Sequence, residues 1–593
     1  MISRGDNHLL GLLIVEELWR LGVRTFVLSP GSRSTPLAVA LAERRDSTVV
    51  HIDERGAGYF GFGAALGGGA PVALVCTSGT AVANYLPAVV EASESGIPLF
   101  VISADRPLDL LDTGANQTIR HRGIFSSYVR AAAEVVAPRS GEDARKVLRL
   151  VDDLFSRAIG SQPGPVHLNV AFRKPLLERS ESRELPPLLD EWGRSGEPLC
   201  VVSQRRGCPP AEDLICAAGS RFSRFIEGST AGLILVSGVD GARGIPRACL
   251  EIAEMLRWPI IADITSQLRL GVESPLLFVE ASAVYEIAEA RSIFAPDKIL
   301  HIGTQPVSNG LLELLAQCPA VAHCSLTGMR SDVVGNNRVA MVATPEELFE
   351  ILKRCDALTT PSRLIEAFNR LRAEFSAISG AVSIVTASSE LAAVDAIVSE
   401  LPKGWQLYLA NSLPIRLVDS SIQRILHPVR VGYHRGASGI DGTIAAACGF
   451  AHGSWTPTVA IVGDLAAIHD VNSLLFAARS KLPVVIVIIN NSGGGIFSTL
   501  PDINDLDCFE DFFITPQRVD FEGAAHFSGL PFERVGDEKA VAVAVQRAIQ
   551  RGCSSIIEVV TDWRRTAPAI AARREIIKGI IGGVSRDSSN SER

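Results

Sequence analysis

The chain has 593 residues, of which 47% are apolar, and this length predicts roughly three to four domains with separate cores. Its 57 Lys and Arg residues against 65 Asp and Glu residues give a net charge of −8, which argues against a nucleic-acid-binding protein. Eleven cysteines without a C-x-x-C pair indicate reduced thiols in a cytoplasmic protein rather than disulfides or a zinc site. No stretch reaches the roughly 20 apolar residues of a membrane helix, so no membrane insertion is expected.

The first third of the chain alternates apolar strands with helical patterns. Strands are predicted at residues 25–28, 49–52, 72–76, 99–103 and 164–170, and polar residues follow the first four. Strands separated by helices of this length indicate βαβ units in a parallel sheet. Ligands of such sheets bind at the carboxyl ends of the strands, so a ligand edge is expected here.

The middle third is predicted to contain a second α/β unit. A charged, proline-bearing stretch at 179–198 is a plausible linker, and strands follow at 233–237, 260–263 and 298–303. This unit has no dense group of polar residues at its strand ends. A helical region at about 345–386 leads to the last third of the chain.

The last third repeats the pattern, with strands predicted at 406–410, 458–462, 484–489 and 555–560. We therefore expect an α/β protein of three doubly wound parallel-sheet domains. The predicted ranges are 1–185, 186–360 and 361–581. A Ser-, Gly- and charge-rich segment at 582–593 is predicted to be a disordered tail.

Two neighbouring predicted strands of the third unit end in residues that suit a hard cation. Asp464 follows the strand at 458–462, and Asn491 follows the strand at 484–489. The glycines after Asn491 allow the backbone to turn closely, so the carbonyl of Gly493 can be a third oxygen ligand. Mg²⁺ commonly completes its shell with phosphate oxygens and water, so a diphosphate site is indicated. The alternative is an ordinary strand-end carboxylate beside a glycine-rich turn.

Gly463-Asp464, followed about thirty residues later by Asn490-Asn491, resembles the metal-diphosphate motif of the thiamine-diphosphate enzymes. The resemblance implies that Asp464 and Asn491 are metal ligands. Leu465 departs from the superfamily pattern, in which many members have glycine. The three predicted units also match the pyrimidine-binding, central and diphosphate-binding domains of the thiamine-diphosphate decarboxylases over nearly the whole chain.

Seven ordered motifs narrow this resemblance to one branch. They lie at residues 29–37, 53–56, 77–81, 103–107, 114–117, 435–442 and 490–497. Together they resemble the family of 2-succinyl-5-enolpyruvyl-6-hydroxy-3-cyclohexene-1-carboxylate synthases of menaquinone biosynthesis, in which Leu465 is the normal residue. Seven motifs in the same order are far more specific than any one of them.

The family resemblance implies a transferase that decarboxylates 2-oxoglutarate on thiamine diphosphate and adds the four-carbon product to isochorismate. It implies Mg²⁺ as the metal, with Mn²⁺ as an alternative. Glu54 and Ser412 are implied to be catalytic, and Glu54 would hydrogen-bond the aminopyrimidine ring. The implied cofactor contacts are Glu54, Asn411, Ser412, Gly439, Ile440, Asp464, Leu465, Ile496 and Phe497.

Both implied substrates are dicarboxylates, which arginine can bind through two parallel hydrogen bonds. The residues implied to bind the substrates are Ser32, Arg33, Arg106, Asn116, Gln117, Arg416 and Arg435. Each residue type also has an ordinary structural role. Glu54 could be a helix N-terminal carboxylate, residues 77–80 could cap a helix, and a single arginine is usually a surface residue.

One departure from the family concerns the second substrate. Relatives usually have Lys or Lys-Arg near a substrate carboxylate after a middle-unit strand, whereas this chain has Asn309-Gly310. Two alternatives therefore stay open, namely a carboligase for another 2-oxo acid and a non-catalytic member of the fold. The second predicts a damaged glutamate or metal set, yet Glu54, Asp464 and Asn491 are all present. Because the family builds each site between two chains, the resemblance also implies a homodimer or homotetramer.

Overall fold

The computed structural model describes residues 7–177, 185–200, 220–239, 245–325, 334–335, 337–354, 360–385, 389–421 and 425–591. These residues form three six-stranded sheets in which all neighbouring strands are parallel. Helices connect the strands, so the predicted α/β class with three parallel sheets is confirmed.

The first sheet has the strand order β2-β1-β3-β4-β6-β5. Its strands are β1 (Phe26–Leu28), β2 (Thr48–Val50), β3 (Val72–Cys76), β4 (Leu99–Asp105), β5 (Ala132–Val136) and β6 (Val166–Ala171). The helices of this part are Asn7–Arg20, Thr35–Leu41, Glu54–Gly68, Thr80–Asn84, Leu86–Ser95, Gly141–Ala158 and Asp190–Ser195.

The middle sheet has the strand order β9-β8-β7-β10-β11-β12, which is the order of dinucleotide-binding folds. Its strands are β7 (Gly232–Ser237), β8 (Ile260–Ala262), β9 (Leu277–Phe278), β10 (Lys298–Gly303), β11 (Val321–Ser325) and β12 (Asn337–Val342). Its helices include Ile245–Leu256, Ala281–Tyr285, Ala288–Ile293, Asn309–Gln317, Pro345–Lys353 and Leu364–Val385. At the switch point, Thr304 N donates to Ser237 O at 2.9 Å, so the loops after β7 and β10 close against each other.

The third sheet has the order β14-β13-β15-β16-β18-β17 and therefore repeats the topology of the first. Its strands are β13 (Gln406–Leu409), β14 (Val431–Tyr433), β15 (Thr458–Gly463), β16 (Val484–Asn490), β17 (Phe532–Val535) and β18 (Ser555–Val560). The helices are Glu390–Ser399, Leu413–Asp419, Thr443–Ser454, Asp464–His469, Leu474–Arg479, Phe521–Ser528, Glu538–Arg551 and Trp563–Ser591.

The chain divides into two compact units. Unit one contains Met1–Arg206, His434–Trp455 and Asp470–Lys481. Unit two contains Gly207–Tyr433, Thr456–His469 and Leu482–Arg593. The first sheet lies in unit one, and the other two sheets lie in unit two. The division into three domains at residues 185 and 360 stays a prediction.

The first core extends past the predicted boundary at residue 185. Leu189 and Trp192 are buried in this core, although both belong to the stretch predicted as a linker. Trp192 Nε1 donates a hydrogen bond of 2.6 Å to Glu17 Oε2, and the Arg20 guanidinium lies 4.0 Å from the Trp192 ring centroid. The described part of the proposed linker is therefore packed structure, because an aromatic residue overrides the polar composition around it.

The C-terminal helix also continues past its predicted end. The tail was predicted from residue 582, whereas the helix Trp563–Ser591 includes residues 582–591. Ile577, Ile581 and Val584 share one face at helical spacing and are buried in a core of the middle sheet. This apolar face extends the helix beyond residue 581 despite the polar composition of the last residues. None of the helices that the structure describes has the length and apolar composition to cross a bilayer.

Two helices of unit one touch along their backbones. A Cβ at Gly63 of the helix Glu54–Gly68 would lie 2.0 Å from Ala446 O of the helix Thr443–Ser454. In the other direction, a Cβ at Gly449 would lie 2.0 Å from Phe60 O. Both distances are shorter than van der Waals contact, so only glycine permits this approach. The helix that begins at Glu54 is therefore in direct backbone contact with its neighbour.

A pair of buried carboxyl groups lies between the helices Asn7–Arg20 and Gly141–Ala158. The side chains of Glu17 and Asp152 are both buried in unit one. Burial, reinforced by the neighbouring Glu17 carboxylate, raises the pKa of Asp152 to about 8. The folded chain therefore retains the Asp152 proton at pH values at which an unfolded chain has released it.

We expect Asp152→Asn to stabilise the protein increasingly as the pH rises. The folded-state pKa lies above the usual 3.8, so the wild type loses stability between about pH 4 and pH 8. The variant has no proton to lose, and its Tm advantage should be small at pH 5 and larger at pH 8. Thermal unfolding at both pH values measures this. Asp153→Asn, at an exposed neighbouring carboxylate, is the control. An equal Tm difference at both pH values for Asp152→Asn would contradict the shifted pKa.

Candidate active site

The predicted metal residues lie at the carboxyl ends of two adjacent strands in unit two. Asp464 directly follows β15, and Asn491 directly follows β16. The strands pair in parallel with Gly463 opposite Ile489, so both side chains leave the sheet at the same edge. Asp464 is 3% exposed and Asn491 is 5% exposed. The sequence order of the strands was sufficient to predict this juxtaposition.

The backbone N–H of Gly493 connects the two side chains. It donates to Asp464 Oδ2 at 2.7 Å and to Asn491 Oδ1 at 3.2 Å. Gly493 has φ = +138°, and a Cβ there would lie 2.1 Å from the carbonyl oxygen of Ile514. Any side chain at this position would be strained and would also collide with the backbone. The glycine therefore allows the loop to lie directly over the strand ends.

A buried glutamate orients the amide of Asn491. Asn491 Nδ2 donates to Glu390 Oε1 at 2.8 Å, and Thr566 Oγ1 donates to the same oxygen at 2.5 Å. Because the Asn491 nitrogen faces Glu390, its oxygen faces Gly493 N and the Asp464 side of the loop. Burial raises the pKa of Glu390. The sequence did not reveal this role, since Glu390 has the features of an ordinary first-turn helix carboxylate.

The donor set fits a divalent cation such as Mg²⁺. Burial raises the pKa of Asp464 to about 7, with a further contribution from Glu390, so this carboxylate is strongly desolvated. A cation bound beside it would favour the ionised form. Nowhere in the described ranges do three His, Cys, Asp or Glu side chains form a metal cluster. A metal at this edge would instead use one carboxylate together with the Asn491 amide oxygen and the Gly493 carbonyl.

The predicted cofactor residues after β13 form a strained turn. Ser412 has φ = +71°, a left-handed value that is uncommon for a residue with a side chain. It precedes the helix Leu413–Asp419, and its carbonyl accepts a hydrogen bond of 2.7 Å from Arg416 Nη1. Asn411 is buried beside it. Backbone strain of this type is concentrated at functional sites, which is consistent with the predicted role of Ser412.

Three apolar residues predicted to contact the cofactor follow Asp464 or Asn491 closely in the chain, at the same strand ends of unit two. Leu465 N donates to Asp464 Oδ1 at 2.8 Å. Ile496 is half-buried and packs against the core of the third sheet. The Phe497 ring lies 5.6 Å from the ring of Phe513 in an edge-to-face arrangement. Ile496 thus has at least the structural role of a core residue.

Glu54 begins a helix of unit one. It is the first residue of Glu54–Gly68, and Asp53 caps this helix by accepting from Arg55 N at 3.1 Å. Glu54 is half-buried, and its Oε2 accepts a hydrogen bond of 3.3 Å from Asn84 Nδ2. The capping role therefore belongs to Asp53. The Glu54 carboxylate is held by a neutral donor and keeps capacity for a second partner.

The loop that contains Arg435, Gly439 and Ile440 also belongs to unit one. It begins after His434, whose Nε2 lies 3.0 Å from Gly439 O, and it ends at the helix Thr443–Ser454. Near its end, Asp441 Oδ2 accepts a hydrogen bond of 2.8 Å from Tyr59 Oη. Arg435, Gly439 and Ile440 are all half-buried. The loop is thus connected at both ends to buried side chains.

Two predicted substrate arginines lie close together at the edge of the first sheet. Arg33 is 8% exposed, and its Nη1 donates to Phe172 O at 2.7 Å. Burial and the nearby Arg106 cation both lower the pKa of Arg33, while Asp105 opposes this change. Arg106 Nη1 donates to Ser78 Oγ, and to Gln117 O at 2.7 Å. The two guanidinium groups repel each other, and a bound anion would reduce this repulsion.

Ser78 is a further candidate for the functional site. From the sequence, residues 77–80 could equally be a helix cap. Its carbonyl accepts from Gln117 Nε2 at 2.8 Å, and its hydroxyl accepts from Arg106. Thr77 Oγ1 accepts from Arg33 N at 3.2 Å. The following helix, Thr80–Asn84, has Gly79 at its N-cap and no side-chain cap. Thr77 and Ser78 therefore bind Arg33 and Arg106 at this edge of the first sheet. Ser32 and Asn116 are exposed.

A network of buried polar side chains connects the loops that carry Ser78 and Arg106. His121 Nδ1 lies 3.0 Å from Asn169 Oδ1, and Asn169 Nδ2 donates to Asp105 Oδ2 at 3.0 Å. Gly79 N donates to His121 Nε2 at 3.3 Å. Because Nε2 accepts, the His121 proton belongs on Nδ1, and burial lowers the pKa of this histidine. A neutral His121 thus connects the loops after β3 and β4. No sequence pattern indicates this role of His121.

The absence of a basic side chain at position 310 has a steric basis. Ser308 caps the helix Asn309–Gln317 through a hydrogen bond from Leu311 N. Asn309 is exposed, whereas Gly310 is buried and a Cβ there would lie 2.3 Å from Tyr285 O. A lysine or arginine therefore fits at position 309 but not at position 310 in this packing.

Two protein-family models match the chain. One is described as thiamine pyrophosphate enzyme, N-terminal TPP binding domain, and matches residues 10–124. The other is described as thiamine pyrophosphate enzyme, C-terminal TPP binding domain, and matches residues 423–559. The first match contains Glu54, Arg33 and Arg106, and the second contains Asp464 and Asn491.

Full-length relatives are named 2-succinyl-5-enolpyruvyl-6-hydroxy-3-cyclohexene-1-carboxylate synthase. The relative from Rubrobacter xylanophilus is 37% identical over 592 residues, covering 97% of this chain and 99% of the relative. The one from Salinibacter ruber is 36% identical, covering 93% of both chains. The one from Bacillus velezensis is 33% identical, covering 98% of this chain and 99% of the relative.

We expect Asp464→Asn to weaken metal-dependent cofactor binding while preserving the fold. Asparagine retains the shape and an acceptor for Gly493 N but removes the charge, so the affinity for thiamine diphosphate with Mg²⁺ should fall at least about tenfold. Calorimetric titration measures this affinity. Without metal, the Tm should be unchanged or higher, because a desolvated carboxyl group has been replaced. The control is Asp562→Asn, at an exposed carboxylate after β18. Wild-type affinity in Asp464→Asn would refute the metal assignment.

Proposed function

The chain belongs to the family of 2-succinyl-5-enolpyruvyl-6-hydroxy-3-cyclohexene-1-carboxylate synthases, and we propose on this premise that it decarboxylates 2-oxoglutarate and adds the four-carbon remainder to isochorismate. Thiamine diphosphate is the cofactor of the two matched domains. When bound, it supplies the carbon nucleophile for the 2-oxo acid and stabilises the electron pair left by CO₂. The residues of the chain bind, orient and exchange protons around it.

The proposed metal residues would hold the divalent cation that neutralises the charge of the diphosphate. Asp464, the Asn491 amide oxygen and the Gly493 carbonyl would occupy one side of a Mg²⁺ ion, or of Mn²⁺ as the alternative. Phosphate oxygens would complete the shell. Glu390 keeps the Asn491 oxygen facing this position. Leu465, Ile496 and Phe497 would provide apolar walls beside it.

Glu54 is the proposed proton carrier. Its half-buried carboxyl group at a helix N-terminus would face the aminopyrimidine nitrogen and hold or release a proton there. Asn84 Nδ2 donates to one carboxylate oxygen of Glu54 at 3.3 Å, and the other oxygen would bind the ring. Gly439 and Ile440 would contact the same cofactor. Ser412, with Asn411 beside it, would lie near the reacting carbon.

The observation that carries the substrate proposal is the pair Arg33 and Arg106 at one edge of the first sheet. Burial and the neighbouring Arg106 cation both lower the pKa of Arg33, and a bound dicarboxylate would offset both effects. Ser32, Asn116 and Gln117 would bind the polar groups of isochorismate around them. Arg435 and Arg416 would bind the carboxylates of 2-oxoglutarate. The fixed charge of arginine suits this recognition.

The oligomeric state is proposed from the family alone, and the location from the family and the sequence composition. A homodimer or homotetramer is expected, because the family builds each site between two chains. A cytoplasmic location agrees with the cysteine content of the sequence. The predicted absence of nucleic-acid partners rests on the net charge.

The proposed reaction can be tested by measuring CO₂ release from 2-oxoglutarate with thiamine diphosphate and Mg²⁺. Release should depend on 2-oxoglutarate and rise when isochorismate is added, because the acceptor removes the four-carbon unit from the cofactor. Pyruvate should give little CO₂, because it lacks the second carboxylate for the arginines. Preference for pyruvate, or indifference to isochorismate, would instead favour a carboligase for another 2-oxo acid. Failure to bind the cofactor would favour the non-catalytic alternative.

We expect Glu54→Gln to remove turnover while retaining the cofactor. Glutamine cannot carry the proton, so kcat should fall by about 100-fold or more, as for loss of a general acid-base group. Calorimetric affinity for thiamine diphosphate should stay within about threefold of the wild type, since the metal residues are unchanged. Glu43→Gln, at an exposed glutamate, is the control. Full turnover in Glu54→Gln would exclude the proton-carrier role.

A further inference from the structure

A single carboxylate receives the backbone of the loop at residues 435–442. Glu91 belongs to the helix Leu86–Ser95 and has 0% exposed surface. Its Oε1 accepts from Gly436 N at 2.7 Å, and its Oε2 accepts from Ala437 N at 2.8 Å and Ser438 N at 3.2 Å. Three consecutive N–H groups converging on one anion form a nest. Here the anion belongs to the protein itself.

The surrounding contacts leave the nest little freedom. Ser95 Oγ donates to Glu91 Oε1 at 2.7 Å and so fixes the carboxylate from its own helix. A Cβ at Gly436 would lie 2.6 Å from Ser95 Oγ and 2.8 Å from Glu91 O, so the loop backbone touches this helix. Ser438 has φ = +60°, a conformation that needs external support. Glu91 supplies that support through the N–H of the same residue.

The loop leads directly to the proposed binding residues. Arg435 immediately precedes the nest, and Gly439 and Ile440 immediately follow it. His434 and Tyr59 bind the loop at Gly439 and Asp441, and Glu91 binds three consecutive N–H groups of the segment between Arg435 and Gly439. A fully buried carboxylate is costly unless it is hydrogen-bonded, and here its bonds go to the loop.

We propose that Glu91 is a positioning residue that holds the loop at 435–442 in its binding conformation, and so sets the placement of Arg435 and Ile440. What the loop binds rests on the proposed function, whereas the hydrogen bonds to Glu91 do not. Glu91 touches neither cofactor nor substrate in this role and acts only through the loop backbone. In the sequence it has the features of an ordinary helix glutamate, 345 residues away from Gly436.

The first test is hydrogen exchange of the full chain without cofactor. Glu91→Gln retains the size of the side chain but turns an NH₂ group towards N–H donors, so peptides covering 434–442 should exchange about tenfold faster. Glu94→Gln, an exposed glutamate on the same helix, is the matched control and should exchange as the wild type does. Wild-type exchange in Glu91→Gln would overturn the proposal, whatever reaction the enzyme catalyses.

The second test separates positioning from general structural support. In Glu91→Gln, calorimetric affinity for thiamine diphosphate with Mg²⁺ should fall about tenfold and the KM for 2-oxoglutarate should rise, since small displacements are costly in binding sites. Faster exchange with wild-type affinity and KM would overturn the positioning role. If the wild type does not use 2-oxoglutarate, the proposed function fails, while exchange and cofactor affinity still report on Glu91.

A milder variant keeps the test decisive if Glu91→Gln does not fold. Ser95→Ala removes one hydrogen bond to the Glu91 carboxylate and leaves the charge in place. It should accelerate exchange in the same peptides and weaken cofactor binding in the same direction, by about two- to threefold. Glu91→Asp should recover part of the affinity lost in Glu91→Gln, because it restores an anion one methylene short. Unchanged exchange in Ser95→Ala would contradict the nest, and no recovery in Glu91→Asp would contradict the need for an anion.

Discussion

Backbone contact between the helices Glu54–Gly68 and Thr443–Ser454 is the constraint on which unit one depends. Gly63 and Gly449 each face a carbonyl oxygen of the opposite helix, so the two helices cannot slide or rotate without collision. One helix begins at Glu54, and the other begins where the loop of Ile440 ends. The close packing of these two helices therefore determines the placement of Glu54 and Ile440, which belong to the first and the last third of the sequence.

Most of the strands that could be predicted from the sequence are almost completely buried. β3 is buried at every residue and β16 at every residue except Asn490, and both appear in the sequence as apolar runs. The strands that were missed are β5, β9, β11, β12, β14 and β17, and all except β11 lie at a sheet edge. β9 and β14 are short, and β5 and β17 are partly exposed, so the apolar pattern of these four strands is weak. In β11, Ala-His-Cys-Ser lacks the branched residues that indicate a strand.

The site could be predicted where it follows from strand order. Asp464 and Asn491 come together because parallel neighbours end at one edge, and this is visible in a sequence. Glu91, Glu390 and His121 were missed, because their partners lie on other elements and only tertiary packing buries them. A helix carboxylate is usually solvated, and the sequence does not distinguish the exceptional one. The juxtaposition of Asp464 and Asn491 was thus predictable, whereas the buried residues that hold neighbouring side chains and loops were not.

The helix Trp563–Ser591 connects two distant parts of unit two. In its first turns, Thr566 donates to Glu390, and Trp563 N donates to Asn491 O at 3.4 Å. In its last turns, Ile581 and Val584 pack into the core of the middle sheet. A continuous helix transmits a displacement along its axis. Substitution of Ile581 or Val584 by a polar residue would therefore loosen, in the middle-sheet core, the same helix whose first turns bind Glu390 and Asn491.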